Sequence, residues 1–587
     1  MGGIDINALF ARAERAFAAG QLETARADLV QVQRLAGDHP AILHLLGLVE
    51  KKRGVIDAAK ASLERAHRLA PADPQINNNL ANLLGDIGRL DDAVAHYERA
   101  LAAQPHFTEA RYNRALVLQK LGRLDEALAD LDHLLASRRE ARFLAARGSV
   151  LRALDRRAEA AAAYDAALAV EPARLSALHG RARVALERGE EDAVTFYRRA
   201  RALRPEDDEI LLGLAQALEA EGDPEGIALL AAAVRANPTW SIGHSTLARM
   251  RWEAGEGRDF TRDMEQALAS NPHNRALWTT LAGTLAAADL PAEAADAALK
   301  ARSILAADDE LSLLEAFQAS EAGQIERATQ LFDRLPDTLP GRSALEARHR
   351  LRIGDYEGAA RFADQAREEN PADIGAWAVT GLVWRLVGDS RADWLNASEL
   401  VTATPLALDA AQVDAIADRL RSLHRTRSHP IGQSVRGGTQ TRGSLFAREE
   451  PEILMLKKAV TESVGQYWER LAPRDPLHPL RRHCGQTPRF AGSWSVRLIG
   501  GGFHVSHFHP NGLLSSACYL VVPAEAQPLE GWLEVGGPPA NLDLTLEPLS
   551  RIRPVPGHLA LFPSYLYHGT RPFAAGERLT AAFDIAL

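Results

Sequence analysis

The sequence predicts a multidomain chain: an all-α superhelix of paired helices over residues 5–392, then a β-rich domain with flanking helices over 393–587. Three observations carry this. A small turn residue recurs about every 34 positions through the first two thirds of the chain. A proline recurs with the same period. From about residue 489 onward, short apolar runs alternate with glycine and proline, and histidines crowd together near the end.

The turn residues are Gly20, Gly54, Gly88, Gly122, Asp155, Gly189, Gly222, Gly255, Asp289, Gly323, Gly354 and Gly388, so neighbouring markers lie 31 to 34 residues apart. The prolines are Pro71, Pro105, Pro172, Pro205, Pro238, Pro272 and Pro371. Each unit then has one plan. A helix ends at a residue that tolerates the left-handed conformation, a second helix follows, and proline stops it. Alanines such as Ala93 and Ala100 let the helices approach closely. One helix pair cannot bury its apolar face alone, but stacked pairs share a continuous core.

These units resemble tetratricopeptide repeats, most clearly in 79–101. The resemblance spans about twelve units, is best in the second to sixth, and is degenerate around 310–345. It implies a concave groove, lined by the first helix of each unit, that takes a protein or peptide. Asn78, Asn79, Asn82 and Asn113 can line that groove and bond a ligand backbone, or be solvated polar positions. A spacer or an oligomerisation arm is the alternative use of the repeat.

After about residue 393 the repeat marker stops. Helical stretches are expected at 406–424 and 451–471. Between them, 425–443 is rich in glycine and small polar residues and reads as a loop. Its Arg425, Arg427, Arg436 and Arg442 can attract an acidic substrate or lie solvated. Strands are expected at 490–498, 503–509, 513–522, 532–535, 558–562 and 579–585; many short strands suggest a sandwich or barrel.

The chemistry concentrates here. Residues two apart on a strand share a face, so His507 and His509 point together. Neutral imidazoles suit first-row metals. His568 can supply a third ligand when the chain folds back, while His504 is out of phase by alternation. On the last strand Arg578 and Thr580 share a face. An inward arginine is costly unless it grips a carboxylate with two parallel hydrogen bonds. A metal plus an inward arginine calls for a ligand with a carboxylate at one end and metal-binding oxygens at the other, which 2-oxoglutarate satisfies.

The segments His507-Phe-His-Pro, Pro556 to Pro572, Arg578-Leu-Thr and Gln433 to Thr441 resemble the Fe(II)/2-oxoglutarate-dependent oxygenases of double-stranded β-helix (jelly-roll) fold. The nearest subgroup carries His-x-His-Pro in place of the commoner His-x-Asp. The resemblance implies a dioxygenase that hydroxylates a protein or peptide held by the repeats. Fe(II) would sit on His507, His509 and His568, with O2 and 2-oxoglutarate on its open positions. Arg578 and Thr580 would hold the 2-oxoglutarate tail, with Tyr519 and Ser516 bonding the cosubstrate. The chain departs from the subgroup at Ser516-Ala-Cys-Tyr519, at Gly536-Gly-Pro-Pro539, and at Asp584, where asparagine is usual. Asp584, lying beyond Arg578, is not expected to be a ligand, while Cys518 reads as a small buried hydrophobe and Trp494 and Trp532 as core residues. Two alternatives stand: a scaffold whose oxygenase domain is inactive, and a three-histidine metal dioxygenase that does not use 2-oxoglutarate.

Composition bounds the rest. At 587 residues the chain is too long for a single core. A net charge of −9 argues against general nucleic-acid binding. Two cysteines cannot build a disulfide framework. The first residues lack a basic stretch followed by an apolar one, and no run of about 18 apolar residues occurs. No secretory signal, no membrane span and a cytoplasmic location are therefore expected.

Overall fold

The computed structural model describes residues 5–305, 308–424, 430–471, 473–525 and 527–587. Arg425 and Arg427 lie outside the described residues. Contacts divide the chain into two compact units, 1–185 with 195–204, and 186–194 with 205–587.

Paired helices fill the first unit and the start of the second, and one repeat shows why. Asp73 caps the helix Pro74–Asp86 by accepting from the amides of Gln75 and Ile76. The chain reverses at Gly88, with φ of 81°. The helix Leu90–Ala103 returns, burying Ala93 and Ala100 completely. Pro105 follows its end. All the turn markers adopt positive φ, including Asp155 at 62° and Asp289 at 63°. Aspartate is one of the few side-chain-bearing residues that visits this region routinely. The repeat weakens where expected: the helix Ile325–Phe332 is only 8 residues long.

In the first unit the asparagines are committed to one another more than to a groove. Asn82 Oδ1 accepts from Tyr97 Oη at 2.6 Å and from Asn113 Nδ2 at 3.0 Å, tying three helices together. Asn79 pairs with His44 at 2.7 Å. Asn78 is buried, and its Oδ1 has no partner among the described residues.

In the second unit the repeats are followed by an antiparallel double-stranded β-helix. Its strands are β1 Thr402–Pro405, β2 Val435–Gln440, β3 Arg489–His507, β4 Leu514–Val521, β5 Leu533–Val535, β6 Ser550–Ile552, β7 His558–Pro563, β8 His568–Thr570 and β9 Glu577–Ala586. They pair in the order β1-β7-β4-β9-β3-β8-β5-β6, with β2 on β3. The expected strands 490–498 and 503–509 are one long strand, β3. Its first half pairs with β9 and its second with β8, which carries the chain from one layer to the other. The helices Ala410–Leu423 and Pro451–Arg470 cover one face of the sheet, their Ile416, Leu420, Leu456 and Val460 meeting Cys518, Ala581 and Phe583. Cys518 is therefore a small buried hydrophobe.

Two expectations for the join are corrected. The stretch read as loop contains β2. Its glycines permit close approach: a Cβ on Gly438 would lie 2.5 Å from Arg497 O. Arg436 and Arg442 do not await an acidic substrate. Arg436 pairs with Asp289 at 3.0 Å, and Arg442 with Glu253 at 2.6 Å and Glu219 at 2.9 Å. This arm is fastened along the repeats, and the Gly432 amide also bonds Ala287 O at 2.8 Å.

The other sheet face packs on the last repeats. Trp377, Trp384 and Leu382 of the helix Ile374–Val387 share one apolar cluster with Phe562, Tyr565 and Tyr567. Arg348 binds Glu321 at 2.8 Å and donates to Tyr567 Oη at 2.9 Å. No helix among the described residues is long and apolar enough to cross a membrane.

Candidate metal centre

The centre is built where β3 ends beside β8. His504 pairs with Thr570 and His507 with His568, so three steps on β3 match two on β8. This is a β-bulge, which inserts one residue and re-aims the side chains after it. Gly569 opposes the bulge; a Cβ there would lie 2.9 Å from His504 O. The bulge overturns the expectation that His504 is out of phase. Its ring stacks on His507 with centroids 6.1 Å apart, and Ser434 Oγ bonds both His504 Nδ1 at 3.0 Å and His507 Nε2 at 3.1 Å.

His507 and His568 face each other across the ladder, ring centroids 4.2 Å apart. His509 lies just past the end of β3, held by its amide to Ser564 O at 3.1 Å. Its Nε2 is 3.0 Å from His507 Nε2. One ligand atom from each of His507, His509 and His568 falls within 4.8 Å of the others.

The outward nitrogens fix the tautomers. His507 Nδ1 donates to Val505 O at 2.9 Å, and His568 Nδ1 to Leu566 O at 3.0 Å. His509 Nδ1 meets Asp584 Oδ1 at 2.6 Å, and Asp584 also accepts from Ser515 Oγ at 3.1 Å. A carbonyl or carboxylate can only accept, so each Nδ1 carries the hydrogen and each Nε2 lone pair turns to the shared space. Burial, then the neighbouring His509 ring, pushes the His507 imidazole down to about 3. Burial and the neighbouring rings likewise hold His504 and His568 well below the ordinary histidine range. Three imidazoles converging through Nε2, each braced from behind, fit a first-row metal ion such as Fe(II).

Asp584 is thus no member of the ligand cluster but the brace of His509. Its parity with Arg578 and Thr580 on β9 was the available signal.

Arg578 is 2% exposed, and no carboxylate among the described residues lies within ion-pair distance of it. Among the described residues its Nε has no hydrogen-bond partner, nor does Tyr519 Oη. The guanidinium lies 5.2 Å from the Tyr519 ring centroid. Burial lowers the Arg578 pKa against the opposing effect of Tyr519, and pushes the Tyr519 phenol up to about 12. His504 stands within electrostatic reach of both Arg578 and the histidine cluster. A buried cation without a counter-charge is what an anionic ligand would complete.

The remaining expected site residues divide by face. Thr580 is buried opposite Tyr519 in the β4–β9 register, its Oγ1 only 3.5 Å from Val496 O. Ser516 is corrected: alternation turns it to the other face, where its Oγ donates to Phe583 O and accepts from Phe583 N, both at 2.8 Å. Trp494 packs on Val435, Val496 and Leu498 as a core residue, yet its ring also lies 5.8 Å from that of His509.

Fold and centre together define a class: a helical-repeat protein whose jelly-roll domain carries three converging histidines. Family comparison narrows this. Residues 492–584 match the family described as "Putative 2OG-Fe(II) oxygenase", and residues 78–142 match "Tetratricopeptide repeat". The chain thus carries a tetratricopeptide repeat region over 78–142 and a C-terminal region, 492–584, similar to that oxygenase family. No functionally curated protein matches it. Solved structures similar to this chain include tetratricopeptide repeat proteins. A tetratricopeptide repeat protein from Parabacteroides merdae is 16% identical, with TM-score 0.31, over 54% of this chain and 99% of its own. PilF of Pseudomonas aeruginosa is 17% identical, with TM-score 0.33, over 37% and 97%. YrrB, titled a protein with an unusual peptide-binding site, is 16% identical, with TM-score 0.28, over 31% and 95%.

Proposed function

We propose that this chain is an Fe(II)- and 2-oxoglutarate-dependent dioxygenase that hydroxylates a protein or peptide held by its repeats. The repeat portion is 5–392 and the oxygenase portion 393–587. The single observation that supports this most is the pairing of a three-histidine cluster with a buried arginine that has no counter-ion among the described residues. The second alternative, a three-histidine dioxygenase without 2-oxoglutarate, leaves that arginine unexplained.

His507, His509 and His568 hold the metal through Nε2. When bound, Fe(II) couples O2 reduction to oxidation of 2-oxoglutarate, giving succinate and CO2, and places one oxygen atom in a substrate C–H bond. Arg578 receives the distal carboxylate of 2-oxoglutarate through paired N–H donors, with Tyr519 and Thr580 beside it. His504 and Ser434 border the space between that carboxylate and the histidines. Asp584 keeps His509 in the ligating tautomer. The repeats bring the substrate. We place the activity in the cytoplasm, where two free cysteines need no oxidising compartment.

The test is anaerobic titration of the Zn(II)-loaded chain with 2-oxoglutarate, followed by succinate release from the Fe(II) form in air. Saturable, metal-dependent binding and succinate are expected. Absence of 2-oxoglutarate binding would sink the proposal; binding without turnover under any condition would favour the inactive scaffold.

A further inference from the structure

Ser434 touches two histidines, and three contacts hold its backbone in place. It precedes β2, and its carbonyl accepts from the Val505 amide at 3.0 Å. Two residues before it, the Gly432 amide donates to Ala287 O at 2.8 Å. Two residues after it, Arg436 pairs with Asp289 at 3.0 Å. With the backbone held on both sides, the side chain answers a change around it by rotating between the staggered wells of its single χ1.

A serine hydroxyl has one hydrogen and two lone pairs to distribute. Here its partners are His507 Nε2 at 3.1 Å and His504 Nδ1 at 3.0 Å. The first assignment follows from a backbone carbonyl. His507 Nδ1 donates to Val505 O at 2.9 Å, so Nε2 presents a lone pair and Ser434 donates to it. The one hydroxyl hydrogen is then used, so His504 Nδ1 carries its own hydrogen and donates to Ser434 Oγ. The bonds run in one direction, from His504 through Ser434 to His507.

They end on the atom that a metal needs. His507 supplies one of the ligand atoms that converge in the cluster, and its free lone pair is on Nε2. One lone pair cannot accept a hydrogen bond and bind a cation at once. A metal on His507 therefore displaces the Ser434 hydrogen, while His504 goes on donating to Oγ. The displaced hydrogen has no other acceptor among the described residues. A partly buried donor stripped of its partner is unfavourable until something else accepts from it. An anion on the metal brings oxygens beside Nε2, and a charged acceptor makes a stronger hydrogen bond than a neutral one.

We infer that the Ser434 hydroxyl couples the loading of metal and anion at this centre: it competes with the metal for His507 and, once displaced, donates to a carboxylate oxygen of an anion bound to that metal. The metal is disfavoured alone and favoured together with the anion. By linkage, the anion gains from the metal by the same factor. This rests on the reading of the cluster as the metal site of a 2-oxoglutarate oxygenase, in which Arg578 takes the distal carboxylate and Ser434 the one at the metal.

The test uses the full chain with Co(II), whose visible absorption changes with its ligands. Metal affinity is measured by chelator competition, and anion affinity by titrating the Co(II)-loaded chain under argon. Two anions are compared: 2-oxoglutarate, and oxalate, which chelates a metal but has no distal group for Arg578. Ser434→Ala is expected to raise Co(II) affinity about fivefold without anion, and to lower the affinity of the loaded chain for both anions about tenfold, as removal of one neutral and one charged hydrogen bond implies. Ser434→Thr keeps the hydroxyl and is expected to restore the wild-type values. The opposite signs carry the test, because a general loosening of the site lowers both affinities together. Co(II) affinity that falls in Ser434→Ala and returns in Ser434→Thr would show that the hydroxyl supports His507 instead of competing for it, and would overturn the inference. Oxalate binding indifferent to the substitution would overturn it equally. Ser434→Gly, which removes the hydroxyl from the same anchored backbone, decides if the alanine variant unfolds early. A wild type that binds Co(II) and oxalate with these Ser434 effects, but not 2-oxoglutarate, would refute the oxygenase reading and leave the coupling standing.

Discussion

Replacing Arg578 with methionine is expected to raise the stability of the ligand-free chain and to abolish its stabilisation by 2-oxoglutarate. The two signs follow from one fact: the guanidinium is 2% exposed and has no carboxylate partner among the described residues. Uncompensated buried charge is destabilising, and apolar replacement of buried ionic groups is neutral or stabilising by about 1–4 kcal/mol. Methionine keeps the length, lacks the charge, and can fill the space against the Tyr519 ring. With ligand the balance reverses. Two parallel hydrogen bonds to a carboxylate contribute about 1.5–3 kcal/mol each. Their loss weakens 2-oxoglutarate by roughly two to four decades, at about 1.4 kcal/mol per decade.

Thermal unfolding of the Zn(II)-loaded protein, with and without 2-oxoglutarate under argon, reads both effects. For the wild type, ligand at a hundredfold its Kd adds about 2.7 kcal/mol; for the variant at the same concentration it adds almost nothing. The reasoning fails if Arg578→Met unfolds at a lower temperature than wild type without ligand. It fails equally if the variant retains the 2-oxoglutarate shift.

Three further outcomes are expected. Asp584→Asn removes the charge behind His509 but preserves its shape, so Zn(II) affinity measured by chelator competition is expected to fall about 10–100-fold with little change in unfolding; unchanged affinity would show that the brace is only structural. Glu321 is titrated low: burial alone would raise its pKa, but Arg348 and Arg352 outweigh it and hold the carboxyl at about 2 against an ordinary 4.5. Its folded pKa is depressed, so its stabilisation, roughly 3 kcal/mol, is present above pH 4.5 and disappears as pH falls towards 2. The stability gap between wild type and Glu321→Gln is expected to close over that window, and a gap independent of pH would refute the assignment. A fragment starting at 393 leaves Phe562, Tyr565 and Tyr567 without Trp377 and Trp384 and is expected to aggregate, whereas one starting at 309 is expected to stay monodisperse by size exclusion. Equal behaviour of the two fragments would show that the shared cluster is dispensable.

The parts of the site that a short period can reveal were legible in the residues. The turn markers announce themselves because each needs positive φ, which only glycine and a few others provide, so Asp155 and Asp289 fit the series as readily as the glycines. The candidate site residues are a different matter: what the sequence supplied there was residue type and strand parity. Parity misplaced His504, because a bulge adds a residue that no local pattern marks. The family resemblance, not parity, put Ser516 with Tyr519; the odd separation on a continuous strand sends them to opposite faces. Strands β1 and β6 are four and three residues long, too short for alternation to register. In β2 the glycines that suggested a loop are there because Gly438 passes against Arg497. Tertiary partners decide such positions, and they lie tens to hundreds of residues away.

The arginines of the arm show the same limit from the side of charge. Arg436 and Arg442 sit among glycines and small polar residues, a context that describes an exposed loop equally well. Their acids, Asp289, Glu219 and Glu253, belong to repeats about 150 to 220 residues earlier. The consequence reaches the site. Ser434 touches two of its histidines and is two residues from Gly432, which is bonded to Ala287. A residue that borders the histidine cluster is therefore anchored to one repeat by a backbone hydrogen bond on one side, Gly432 to Ala287, and an ion pair on the other, Arg436 to Asp289. A substitution that shifts the helix Arg275–Ala287 is therefore expected to reach the Ser434 hydroxyl through the Gly432–Ala287 hydrogen bond.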